Sequence, residues 1–194
     1  MIFTETLLPG AFLVSVEPRA DDRGFFARTF CEREFAAHGL KTRIAQANVS
    51  FNYRKGTLRG MHFQYPPAAE TKFVRCTRGA IVDVIVDLRP ESTTYLQHVA
   101  VELTAENRTG LFVPERFAHG YQVLEDHTET TYHVGEFYTP AAESGVRFDD
   151  PRLGITWPLP ITDMSDKDRV WPLLAGAEPA IRRRMQPAGV TQPA

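Results

Sequence analysis

A chain of 194 residues with 43% hydrophobic and 24% charged side chains has the size and composition of one ordinary folded domain. Its 22 Lys and Arg against 24 Asp and Glu leave a net charge of −2, without the basic excess that nucleic-acid phosphates demand. No apolar run approaches the roughly 20 residues of a membrane span. The opening Met1-Ile2-Phe3-Thr4-Glu5-Thr6 lacks the basic and apolar regions of a secretory signal, so a cytoplasmic location is expected. Cys31 and Cys76 stand in no zinc-binding spacing and read as reduced thiols.

Along the chain, Asp21-Asp22-Arg23-Gly24 reads as a turn, and Glu32 to His38 as a short helix stopped by Gly39. Pro66-Pro67 marks a second turn. From Ala80 to Leu88 the pattern has period two: Ala80, Val82, Val84, Val86 and Leu88 share one face, and Ile81, Asp83, Ile85 and Asp87 the other. His98 to Leu103 alternates in the same way. Leu111–Val113, Gly120–Leu124 and Thr128–Val134 are further short strands, with Glu125-Asp126 as a turn. Many short strands and few helices indicate an all-β sandwich or barrel, the jelly-roll and cupin forms included. One domain is expected over residues 1–175. Residues 176–194 read as a loosely held tail whose Arg182-Arg183-Arg184 is solvated.

Five segments join reactive polar groups to apolar neighbours: Asp22-Arg23-Gly24-Phe25-Phe26, Gln46-Ala47-Asn48, Leu58 to Gln64, Glu70 to Arg75, and Pro114 to Tyr121. Singly, each has an ordinary structural explanation: a turn, a bonded core histidine or a surface lysine. Together with GAIVDVIVDLR (79–89), VELTAENR (101–108), FYTP (137–140), FDDPRLGITWP (148–158) and SDKD (165–168), they run in one order from about residue 5 to residue 175. In these blocks the sequence resembles the dTDP-4-dehydrorhamnose 3,5-epimerase family.

The resemblance implies a cupin-type jelly-roll β-barrel, usually a homodimer, acting on a nucleoside-diphosphate 4-keto-6-deoxy sugar without a cofactor or metal. The ketone acidifies the protons at C3 and C5. Inversion at either carbon needs a base on one face, a proton donor on the other and a fixed cation beside the enolate oxygen. By resemblance, His62 is the base, Asp168 its hydrogen-bonded orienting partner, Tyr132 the acid and Lys72 the cation. Arg59 and Arg23 hold the diphosphate, and in some members the arginine matching Arg23 serves the partner's site; arginine's planar fork suits phosphate oxygens. Gln46, Asn48, His119, Tyr138, Glu143 and Lys167 match other positions around the ligand, and Phe26 supplies apolar wall.

Strict alternation puts Arg59 and His62 on opposite strand faces, which a bulge at Gly60 would resolve. Arg28 stands where many members carry an acidic residue, so the nucleoside base stays open. The rival readings are a 3- or 5-monoepimerase, an epimerase of a CDP- or GDP-linked keto sugar, a metal-dependent cupin and a non-catalytic cupin. The metal reading is weakened because His62 is followed by Phe63 and Gln64, without the His-x-His pair such sites often use.

Overall fold

The structure, a computed structural model, describes residues 1–187. The first strands are β1 (Ile2–Glu5), β2 (Phe12–Ser15), β3 (Arg19–Asp21) and β4 (Gly24–Phe26), followed by helix α1 (Glu32–Ala37). The barrel continues with β5 (Gln46–Asn52), β6 (Leu58–Gln64), β7 (Lys72–Arg78), β8 (Ala80–Asp87) and β9 (His98–Thr104). It ends with β10 (Gly110–Val113), β11 (Phe117–Val123), β12 (Thr128–Val134), β13 (Glu143–Gly145) and helices α2 (Asp166–Arg169) and α3 (Leu174–Arg184). One six-stranded sheet has the order β1-β2-β10-β7-β12-β5, and a five-stranded sheet the order β13-β6-β11-β8-β9. The two form the jelly roll, and β3–β4 stands apart as a hairpin.

The alternation from Ala80 onward is real but divides two apolar faces. Ile81 and Ile85 join Val74, Leu103, Leu111, Phe117 and Tyr121 in the core. Val84, Val86 and Leu88 face the opposite way, into a second cluster with Met61, Phe63 and Ala118. Both faces are buried because a further layer of chain covers the outside of the five-stranded sheet. Part of that layer is the segment expected to be a loose tail. Instead, α3 places Leu174 and Ile181 in the second cluster, with Met185 just beyond its end. The Asp150 carboxylate accepts a hydrogen bond from the Leu174 N–H at 2.6 Å. The arginine run is also engaged: Arg182 lies over the Tyr95 ring and Arg184 over Tyr65. The last seven residues of the expected tail, 188–194, lie outside the described residues. The short helix near residue 32 forms as expected, and Gly39 follows it with φ +72°. A third cluster packs its Phe35 against Phe12, Phe73 and Phe112, outside the six-stranded sheet.

The bulge raised by the sequence is present. In the pairing of β6 with β11, His62 lies opposite His119 and Arg59 opposite Tyr121. Three steps on one strand therefore match two on the other, with Gly60 and Met61 both set against Gly120. Gly60 has φ +121°, and a Cβ there would meet the Gly120 Cα at 2.6 Å and the His119 carbonyl oxygen at 2.8 Å. Neither backbone atom can swing aside as a side-chain end could.

Two outcomes test this packing. Gly60→Ala should destabilise the fold by about 2–4 kcal/mol, through forced backbone conformation and overpacking. An unchanged denaturation midpoint would show that the two strands can part. Ile181→Ala should cost about 2–5 kcal/mol, the range for truncating a buried aliphatic side chain. A loose tail would leave the same urea titration unmoved.

Candidate active site

The bulge turns Arg59 and His62 toward one cavity, of about 160 Å³, which they line with Ser50, Lys72, His119, Tyr121 and Tyr132. Two neighbouring hollows share its walls. One, of about 330 Å³, adds Gln46, Asn48, Glu70, Tyr138 and Glu143 to Lys72 and Tyr132. The other, of about 350 Å³, adds Asp168 and Lys167 to Arg59 and His62. A roomier cavity, of about 500 Å³, lies away from this chemistry, between Met1, Glu17, Arg19, Phe26, Arg28 and Glu34.

His62 sits on β6, with Nε2 2.5 Å from Asp168 Oδ1. Asp168 arrives on α2, which is positioned by local chemistry. The Leu58 N–H donates to the Asp163 carbonyl at 2.9 Å, tying the incoming segment to β6. Ser165 then caps the helix, its hydroxyl accepting from the Asp168 N–H. The carboxylate also accepts from the Gly60 N–H at 3.2 Å and from the Trp171 indole N–H at 3.3 Å. Burial opposes its charge, yet the bonds from His62 and Gly60 outweigh that and hold Asp168 below the usual carboxylate range. Asp168 is therefore held as a carboxylate against the imidazole. With Nε2–H donated to Asp168, the lone pair lies on Nδ1, free to act as a base.

Tyr132 lies on β12 opposite Asn48 and Val74. Burial pushes its phenol above the ordinary value; Tyr121 and Glu70 add to this, and Arg59 opposes it. A phenol held protonated is a proton donor at neutral pH. Lys72 opens β7 and pairs with Glu70 at 2.8 Å, both side chains only 13% exposed. Arg59 donates from Nε to Asn52 Oδ1 at 2.7 Å and is otherwise exposed. His119 bonds Asp83 at 2.6 Å. At the rim, the Tyr138 hydroxyl donates to Glu143, which also pairs with Lys167. The Tyr138 N–H donates to Gln46 Oε1. Burial would raise Glu143, but Lys167 and Tyr138 bring it below its ordinary value.

Of the side chains expected at the site, the fold gathers Gln46, Asn48, Arg59, His62, Lys72, His119, Tyr132, Tyr138, Glu143, Lys167 and Asp168. It does not bring Arg23 or Phe26 to the three joined cavities; Phe26 lines the separate one of about 500 Å³. Both ride the β3–β4 hairpin, whose residues 19–26 are all exposed. Among the described residues Arg23 pairs only with Asp21, two residues away. Sequence reasoning missed Ser50, Glu70 and Tyr121 as lining residues. Ser50 had a signal, since Gln46, Asn48 and Ser50 follow one face of a strand. Glu70 carries the same two-residue offset from Lys72. Among the described residues no group of three or more His, Cys, Asp or Glu is gathered as metal ligands.

Comparison with known proteins places this geometry. Residues 5–176 match the sequence profile described as dTDP-4-dehydrorhamnose 3,5-epimerase. The enzyme of that name from Methanothermobacter thermautotrophicus is 45% identical over 172 residues, 87% of this chain and 92% of its own length. The crystal structure of dTDP-4-dehydrorhamnose 3,5-epimerase from Bacillus anthracis, with TDP and PPi bound, superposes with a TM-score of 0.86 at 42% identity. That match covers 89% of this chain and 99% of the other. The dTDP-6-deoxy-D-glucose-3,5-epimerase of Legionella pneumophila, in complex with dTDP-4-keto-L-rhamnose, gives 0.86 at 32% identity, covering 93% and 96%. Sequence profile, relatives and barrel agree over most of the chain, which belongs to the dTDP-4-dehydrorhamnose 3,5-epimerase family.

Proposed function

We propose that this protein is an isomerase that inverts C3 and C5 of a dTDP-linked 4-keto-6-deoxy sugar, using its own side chains as base, acid and enolate stabiliser. The observation that carries the reading is the single cavity lined by the Asp168-bound His62, the protonated phenol of Tyr132 and the Glu70-held ammonium of Lys72. His62 Nδ1 removes the proton from the carbon beside the ketone, and the C–H electron pair moves onto the C4 oxygen. Lys72 stabilises that developing negative charge, its position already fixed before the ligand arrives. Tyr132 then delivers its proton to the opposite face of the carbon, and the electrons return from oxygen. Solvent restores the phenol, and His62 releases its proton. Asp168 supports the transient imidazolium and fixes the tautomer throughout.

The same cycle serves both carbons because both flank the one ketone. Arg59, exposed and held only by a neutral amide, anchors the diphosphate while the sugar changes presentation. Gln46, Asn48, Tyr138, Glu143, Lys167 and His119 complete the ligand's surroundings. The protein works in the cytoplasm; among the described residues no helix is long and apolar enough to cross a membrane.

Arg23 and Phe26 act in a homodimer. A hairpin carrying a guanidinium 89% exposed and a phenyl ring 69% exposed is suited to reaching a second copy's cavity. Complementation tests this. Arg23→Ala and His62→Ala chains, each inactive alone, are mixed under conditions of subunit exchange. Heterodimers then hold one intact site of two, and random pairing restores about a quarter of wild-type activity. No restoration would place Arg23 in its own chain's site.

The reaction is tested with dTDP-, CDP- and GDP-4-keto sugars in deuterated water. Deuterium should enter at both C3 and C5 of the dTDP sugar. His62→Ala should lower the rate about 10²–10⁴-fold. Tyr132→Phe should spare exchange more than inversion, since His62 can return deuterium to its own face. Label at C3 alone would make the protein a monoepimerase. Label only with another nucleotide would move the base specificity, and no label with any of them would defeat the reading.

A further inference from the structure

Trp171, on the short segment between α2 and α3, contacts both members of the His62–Asp168 pair. Its indole N–H donates to Asp168 Oδ1 at 3.3 Å, the same oxygen that lies 2.5 Å from His62 Nε2. Its ring stands edge-on to the His62 ring, at 72° with centroids 6.3 Å apart. It lines none of the three joined cavities. The indole therefore meets the pair from behind, on the side away from the ligand space.

The indole has little freedom to move. In the pairing of β13 with β6, Gly145 lies opposite His62. A Cβ on Gly145 would meet three indole atoms at 2.5–2.6 Å, so the ring sits directly against the glycine backbone beside the base. Lys167 Nζ lies over the ring, 5.6 Å from its centroid. The backbone after the indole is tied down as well. The Pro172 carbonyl accepts from the Arg147 N–H at 3.2 Å, and the Leu174 N–H donates to Asp150 at 2.6 Å. Residues 145–150 thus seat the ring and hold the chain that carries it. Asp168 needs such a neighbour, because its helix cap fixes only its backbone. A carboxylate group can still turn about its own bond. The Gly60 N–H holds Oδ2 and the Trp171 indole holds Oδ1, so both oxygens are placed.

We propose that Trp171 is a positioning residue: its indole N–H fixes the Asp168 carboxylate, and through it the ring of His62, so that Nδ1 faces the ligand carbon. This rests on the functional reading above, in which His62 is the base. An indole is a donor only, so its bond to Asp168 persists through each transfer of a proton to and from His62. Its contribution is the aim of the base, which a small misplacement spoils. The effect belongs to turnover more than to binding.

Trp171→Phe keeps an aromatic ring against Gly145 and deletes the donor. kcat should fall about tenfold, with KM within about threefold. Placed in an Asp168→Ala protein, Trp171→Phe should add no further loss of deuterium uptake, because the indole acts through that carboxylate. A role in packing alone would cost the same in both backgrounds. NMR of ¹⁵N-labelled protein supplies readouts that need no substrate. The His62 Nε2 proton, identified by its loss in His62→Ala, should be resolved in the wild-type protein and lost to solvent exchange in Trp171→Phe. The chain has two tryptophans, so the indole signal that remains in Trp157→Phe belongs to Trp171. In the wild-type protein that proton should exchange with solvent far more slowly than in free tryptophan. Normal kcat in Trp171→Phe, an additive loss in the double variant, or a His62 signal unchanged between the two proteins would overturn the proposal. So would a Trp171 indole proton exchanging as fast as that of the free amino acid, a result that requires no Trp171 variant to fold. A protein that turns over no keto sugar would defeat the functional reading, while the two proton signals would still judge whether Trp171 holds the pair.

Discussion

Between Arg59 and His62 the chain takes three steps while β11 takes two, and much of the site follows from that mismatch. A regular strand would send one of these side chains into the barrel and the other out through its wall. The bulge turns both inward, and it frees the Gly60 N–H to donate to Asp168 rather than to β11. The carboxylate that bonds His62 thus also binds the backbone that places His62. Met61, at the same irregularity, points outward into the cluster with Leu174 and Ile181. One local insertion therefore joins the cavity wall to the outer layer of the fold. This is the sense in which glycine is required here: the φ of +121° and the closeness of Gly120 leave no room for a side chain.

The barrel interior reconciles two demands that ordinarily conflict. Its core is apolar, with Val74, Ile81, Ile85, Leu103 and Leu111 essentially inaccessible. Beside them, polar groups needed for chemistry must be buried enough for their fields to act, yet bonded enough to be tolerated. Tyr121 shows how the boundary is made. Its ring belongs to the core, while its hydroxyl donates to Ser50 and accepts from Asn52 and Thr130. Asn52 in turn accepts from Arg59 at the cavity wall. The network carries polarity inward from the cavity without leaving these donors unmatched.

Legibility in the sequence followed the physics of each element. β8 was plain because both of its faces are apolar and alternate, and β12 because Thr128 to Val134 is rich in β-branched residues. β5, β6 and β7 were less plain as strands because their inward positions carry Asn48, Ser50, Arg59, His62 and Lys72 where a core strand would carry aliphatics. The features that hid these elements as strands disclosed them as a site, through motifs whose order matched a family. α3 was missed because its buried face rests mainly on Leu174 and Ile181, amid Ala, Glu, Arg and a proline. Only the apolar outside of the five-stranded sheet gives that segment a reason to fold. Asp83 was read merely as a member of an alternating face, since nothing in a period-two pattern distinguishes a buried carboxylate with one partner from one with several.

The cations of the site are graded by what holds them, and the grading matches the roles proposed for them. Lys72 is only 13% exposed and paired with a carboxylate, which fixes its position and offsets the cost of burying it. Such a group suits a charge that appears only partway through a reaction, because it needs no reorganisation when that charge develops. Arg59 is exposed, and its one side-chain bond is to a neutral amide, leaving the rest of the guanidinium fork open. That suits a charge present from the outset, such as a diphosphate arriving from solvent. Lys167 lies between these extremes, near half exposed and paired with Glu143 at the rim. Moving inward, the fold exchanges open, solvated cations for closed, prepaired ones. Under the proposed function, binding energy is taken up where the ligand already carries charge, and electrostatic stabilisation is kept for the atoms where charge must form.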